Sequence, residues 1–112
     1  MEWCESDAAA VAHARRELGE PARVHGSFED MLATDPAMVL VATPHTCHEA
    51  QATAALRSGA HVLCEKPMAD TLASALRLRD AARASGRVLS FGFQLRFNAG
   101  LRRLRELLAT GG

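Results

Sequence analysis

The chain has no tyrosine, and its aromatic residues are one tryptophan and four phenylalanines, which leaves no aromatic platform for stacking nucleic-acid bases. The three cysteines, Cys4, Cys47 and Cys64, are odd in number and form no C-x-x-C pair; this argues against a disulfide framework and fits a reducing compartment. No apolar run approaches the ~18 residues that cross a bilayer, and residues 1–20 contain no apolar core of a secretory signal. The expected address is therefore the cytoplasm, with no membrane partner. Excess charge is also lacking: 13 basic residues balance 13 acidic ones, so no overall field draws the chain to nucleic acid. Lysine is nearly absent. Twelve of the thirteen basic residues are arginine, and Lys66 is the only lysine. An amine can release a proton and a guanidinium cannot, so a lone lysine among arginines marks a place where an amine is wanted, unless codon bias alone put it there.

What is present is enough for one domain: 112 residues with 48% hydrophobic side chains. Charge is unevenly spread, with net −4 over residues 1–86 and net +4 over residues 87–112. Helices are expected over residues 6–18 (capped by Ser6 or Asp7), 28–33 (capped by Ser27), 46–58, 71–85 (capped by Asp70 or Thr71) and 98–109. Gly19 with Pro21, Gly59 and Gly86 are the stop signals for the first, third and fourth of these. The fourth helix is expected to bury Leu72, Ala75, Leu76 and Ala82, and the last to align Leu101, Leu104, Leu107 and Leu108. Residues 23–25 read as a short extended piece. Residues 37–43 (AMVLVAT), 60–64 (AHVLC) and 87–93 (RVLSFGF) read as strands, the first as one buried on both faces. Strands alternating with helices across short connections define a parallel α/β sheet.

Each clear strand is apolar to its end and then turns polar: Thr43-Pro44-His45, Glu65-Lys66-Pro67, and Gln94 with Arg96. In an open parallel sheet the carboxyl ends share one rim, where ligands bind, so these groups should converge. His48, near the start of its helix, suits either a phosphate or ribose contact or a cap of the helix end. A lysine at the end of a buried strand is expected to be partly desolvated and, beside a cationic nicotinamide, to exchange a proton readily with a substrate hydroxyl. Glu65 and Lys66 alternate in direction, so they can hold different tasks. The Lys66–Pro67 bond can be cis, since proline follows.

Other chemistries fare worse. His45-x2-His48 and His61-x2-Cys64 imitate zinc spacing, but His61 and Cys64 lie an odd number apart on a strand and face opposite ways, so no metal is expected. No G-x-S-x-G elbow is present. Arg96, Arg102, Arg103 and Arg105 read more simply as the wet face of the last helix than as a nucleic-acid surface.

Three runs, ATP-x3-H at residues 42–48, GAHVLCEKP at 59–67 and GF-x2-RF at 92–97, resemble in order and spacing the second half of the nucleotide-binding domain of the Gfo/Idh/MocA oxidoreductases. Upstream, Trp3-Cys4-Glu5 is similar to the end of that family's second strand. The resemblance implies a partial Rossmann-like, doubly wound parallel sheet lacking its first strand, with residues 1–96 as a partial dinucleotide-binding domain. Residues 97–112 would begin the linker helix to an α+β domain outside this chain. It implies an NAD- or NADP-dependent sugar or polyol dehydrogenase in which Lys66 is catalytic. Glu5, Thr43, Pro44, His48, Glu65 and Gln94 would line the cofactor, and Arg96 would reach cofactor or substrate. Glu5 would take the ribose hydroxyls and repel a 2′-phosphate, favouring NAD. His45 stands where the family often has asparagine. The eight glycines contain no G-x-G-x-x-G spacing, and in the 3-2-1-4-5-6 order a missing first strand leaves a gap at the middle of the sheet. The expectation is thus a piece of a dehydrogenase, inactive alone. A non-enzymatic remnant that self-associates through exposed sheet edges is the rival, and a misplaced gene start would also produce such a chain.

Overall fold

The computed structural model describes residues 2–18 and 23–111. Five parallel strands form two sheets: β1 (Glu2–Cys4) pairs with β2 (Arg23–His25), while β3 (Met38–Val41), β4 (His61–Cys64) and β5 (Leu89–Phe91) lie in the order β3-β4-β5. No backbone ladder joins β1 to β3. The break falls where the sequence places the missing strand, and one apolar core still spans it: Met31 belongs to the cluster of Val39, Val41, Val62 and Leu78, and Cys4 packs against that cluster.

The helices begin where short polar side chains can accept from free backbone N–H groups. Asp7 Oδ1 accepts from Ala9 N at 2.7 Å and opens α1 (Ala8–Leu18), so Asp7 rather than Ser6 is the cap. The expected stop at Gly19 and Pro21 lies outside the described residues. Ser27 caps α2 (Phe28–Leu32), Thr71 caps α4 (Leu72–Ser85) and Asn98 caps α5 (Ala99–Ala109). The helix α3 (His45–Arg57) starts at Pro44 without a side-chain cap. It ends before Gly59, whose φ of 97° is open to glycine and strained for other residues.

The helix α3 lays His48, Ala52, Ala55 and Leu56 on the sheet, a stripe at helical spacing, and α4 packs beside it. The face that α4 buries differs from expectation. Ser74 and Leu78 are buried, whereas Leu72 and Leu76 are exposed, because the residues turned towards α3 are those in step with Leu78. β3 also departs from the expectation of burial on both faces: Val39 and Val41 are buried, but Met38 and Leu40 are 65% and 62% exposed. Among the described residues no helix covers that second face. β5 is shorter than expected. Gly92 N still donates to Cys64 O, but the chain then folds into an inverse γ-turn centred on Phe93 (φ −79°, ψ 64°), with Gln94 N donating to Gly92 O, and a 3-10 turn, Gln94–Phe97, replaces further strand.

Candidate functional site

Register builds the site. Val41, Cys64 and Phe91 stand level on the three paired strands, and two further bonds, Glu65 N to Val41 O and Gly92 N to Cys64 O, both 2.9 Å, carry that alignment one residue beyond. The next residues out are Thr43, Lys66 and Phe93, then Pro44, Pro67 and Gln94. Thr43-Pro44, Glu65-Lys66 and Gln94 therefore share one rim, as the strand-end argument requires.

On that rim Lys66, Phe93, Gln94, Leu95 and Arg96 line a cleft of about 490 Å³. The Lys66–Pro67 peptide is cis. Lys66 itself is exposed, so the expected desolvation of its amine by burial does not occur in this chain; the rim carries the side chain past the end of the sheet, into solvent. Glu65 accepts from Lys66 N at 3.2 Å, and its carboxylate lies over Gly92, where a Cβ would come within 3.3 Å of both oxygens. A side chain at position 92 would push against that carboxylate. Sequence reading missed this role of Gly92, although a glycine directly beyond a strand is a usual sign of close approach.

Thr43 donates its hydroxyl to Gln51 Oε1 at 2.6 Å, which fixes its rotamer; nothing in the sequence singled out Gln51. Pro44 is exposed at the uncapped start of α3, where unpaired N–H groups and the helix dipole favour an anion. Glu5 follows β1 in the other sheet and uses Oε1 to accept from Asp7 N at 2.9 Å. Gln94 and Arg96 are exposed on the 3-10 turn.

His48 is placed differently from an open ligand contact. It is buried, its Nδ1 is 2.8 Å from Pro67 O and its Nε2 is 2.9 Å from Thr43 O. Both ring nitrogens face backbone, so neither is free for a phosphate or a ribose. The signal was legible: His48 heads the buried stripe that continues at Ala52, Ala55 and Leu56.

Beside the site, Arg77 grips Glu49 with two bonds, Nε to Oε1 at 2.6 Å and Nη2 to Oε2 at 2.8 Å, tying α4 to α3. That contact, helped by the Ser74 hydroxyl, holds the Glu49 carboxyl down at about 2. Burial pushes the Cys64 thiol up to about 11, with the charge of Glu65 adding to it, so this cysteine is a packing residue and not a nucleophile. His61 Nδ1 accepts from Val88 N at 3.0 Å and serves the sheet. Among the described residues no three His, Cys, Asp or Glu side chains gather as metal ligands. A second cleft of about 490 Å³, lined by Met68, Arg83, Arg87 and Phe91 among others, shares no residue with the rim.

The donor set suits a dinucleotide: an open helix start, a carboxylate after β1, and a cationic and amide-bearing cleft beyond β4 and β5. Comparison with known proteins points the same way. The model of an oxidoreductase family described as an NAD-binding Rossmann fold, GFO_IDH_MocA, matches residues 2–93. The 1,5-anhydro-D-fructose reductase of Ensifer adhaerens is 44% identical over 86 residues, covering 76% of this chain and 26% of that enzyme. The inositol 2-dehydrogenase of Leifsonia xyli subsp. xyli is 38% identical over 109 residues, covering 96% and 32%. The crystal structure of the WlbA dehydrogenase from Bordetella pertussis, in complex with NADH and UDP-GlcNAcA, superposes with a TM-score of 0.90 at 32% identity, covering 98% of this chain and 34% of that one. The chain thus spans about a quarter to a third of the length of the proteins it matches.

Proposed function

Since this chain belongs to the GFO_IDH_MocA family of oxidoreductases with an NAD-binding Rossmann fold, we propose that it forms the lysine-bearing part of the NAD(H) site of a sugar or polyol dehydrogenase. The observation that carries this reading is the shared rim: Thr43-Pro44 and Lys66-Pro67 stand at matching positions beyond paired strands, and Lys66 opens into one cleft with Gln94 and Arg96.

A nicotinamide dinucleotide held at this rim by Thr43, Pro44, Glu65 and Gln94 would supply the hydride chemistry. The chain's own part is positional and acid–base. Lys66 Nζ would bind the reacting hydroxyl of the substrate, take its proton as the free amine to become the ammonium while the carbonyl forms, and return it in the reverse direction. Thr43 and Pro44 border the open start of α3, where anionic phosphate is favoured. Glu65, anchored over Gly92, and Gln94 line the far side, and Arg96 reaches cofactor or substrate. Glu5 keeps one carboxylate oxygen for the ribose hydroxyls and repels a 2′-phosphate, which favours NAD over NADP.

Titration of the isotope-labelled chain with NADH, followed by its amide spectrum, tests the reading. Shifts at Glu5, Thr43, Glu65, Lys66 and Gln94 are expected, with a Kd of about millimolar or weaker, because the chain contains no G-x-G-x-x-G turn. Lys66→Ala should leave that affinity within about 2-fold, since the amine serves the substrate and not the dinucleotide. Shifts confined to other surfaces would remove the cofactor from this rim, and micromolar affinity would overturn the importance given to the glycine turn. The chain by itself is proposed to lack turnover with sugars and inositols. The unpaired edges of β1 and β3 that face the break support a second reading, self-association through those edges; a monomer in size-exclusion chromatography would speak against it.

A further inference from the structure

His48 sits between the two corners that carry the site, with Thr43-Pro44 on one side and the Lys66–Pro67 bond on the other. Its ring is 1% exposed and spans from Thr43 O at 2.9 Å to Pro67 O at 2.8 Å. Backbone carbonyls accept hydrogen bonds and cannot donate them, whereas a neutral imidazole carries one N–H and one bare nitrogen. A ring N–H that donates to the carbonyl it faces is therefore required, because an imidazole left unbonded in a site that water does not reach is costly. The carboxylates next in sequence to His48 and to Lys66 are engaged elsewhere: Arg77 holds Glu49, and Glu65 bonds the Lys66 amide. Among the described residues none of them is hydrogen-bonded to the imidazole.

We propose that His48 is a positioning residue, a brace that sets the spacing between the threonine-proline corner and the lysine-proline corner. The brace deepens the cofactor reading and rests on it only for the purpose of the two corners. Its physical logic is preorganisation: β3 and β4 align the corners through backbone bonds as far as Glu65 N to Val41 O, and beyond that level the imidazole is the connection that spans them. Thr43 is further pinned by Gln51, also on α3, so the first turns of α3 act as a template for the rim. With the brace in place Thr43 and Lys66 keep a fixed relation before any ligand arrives.

The test needs no ligand. In the isotope-labelled 112-residue chain, long-range proton–nitrogen spectra of the five histidines should contain one ring with an N–H signal protected from solvent exchange, lost in His48→Asn. A His48 ring whose N–H exchanges as fast as those of the exposed histidines overturns the brace. Amide spectra of His48→Asn and His48→Gln should then shift at both corners, Thr43 with His45 and Lys66 with Met68, and leave Val39 and Val62 unmoved. The amine of Lys66, the sole lysine, should move as well after methyl labelling. Shifts at one corner alone, or an even loss of order through β3 and β4, overturn the positioning role. If neither variant folds, the ring spectrum of the unmodified chain decides by itself. Because NADH is absent throughout, failure of the brace and failure of the cofactor reading are separate results.

Discussion

At the scale of single residues, Glu49 shows how a surface position acquires a defined electrostatic task. Arg77 holds its carboxyl down at about 2 from an ordinary 4.5, so the pair contributes stability above the ordinary value and loses it as the pH falls towards 2. Both side chains are in contact with water, 29% exposed for Glu49 and 61% for Arg77, which keeps the contribution that of a screened surface pair despite its two-bond geometry. Glu49→Gln should therefore lower the denaturation midpoint at neutral pH, and the gap to the unmodified chain should close near pH 2; a gap that persists in acid would separate the effect from this ion pair. Lys66 shows the opposite relation between sequence and environment. Its identity and its strand-end position were legible because it is the only lysine and precedes a proline, but its exposure was not, since solvent access at a rim depends on what stands opposite it.

At the scale of elements, the β3 strand separates composition from burial. All four of its residues, Met38–Val41, are apolar, and an apolar run alone cannot tell one covered face from two. Val39 and Val41 pack beneath α3 and α4, whereas Met38 and Leu40 remain open. Val39→Ala should cost about 2 kcal/mol in urea unfolding, the usual loss for a buried aliphatic side chain. Leu40→Ala should stay within ~0.5 kcal/mol; equal costs would mean that something covers the second face in solution. The same limit explains α4. Its helical period and Thr71 cap were readable, but the choice of Leu78 over Leu72 as the inward residue follows from where α3 lies, which no local pattern records. His48 is the converse case: its spacing from Ala52, Ala55 and Leu56 already pointed inward, and its hydrogen bonds to two distant carbonyls needed the fold.

For the whole molecule, order is distributed unevenly. α3, α4 and the three-stranded sheet share one core, while α5 has its substantial contacts only with the 3-10 turn, and Leu101, Leu104 and Leu108 are 46%, 51% and 74% exposed. Eleven residues are too few to hold a helix in water without packing. Amides of α5 should exchange within about tenfold of an unfolded chain, while those of α3 and β4 exchange only through global unfolding. Protection of α5 equal to that of α3 would show that its leucines have found a partner.

The alternation of helices with the three paired strands, the caps at Ser27 and Thr71, the stops at Gly59 and Gly86, and the polar strand ends that meet at the rim were determined by the sequence alone, because each depends on residues within a few positions of one another. The tertiary structure decided which faces are covered, that His48 faces Thr43 and Pro67, that Arg77 meets Glu49 across 28 residues, and that Lys66 lies open to solvent. These depend on the distance between segments remote in the chain, and side-chain periodicity carries no record of that distance.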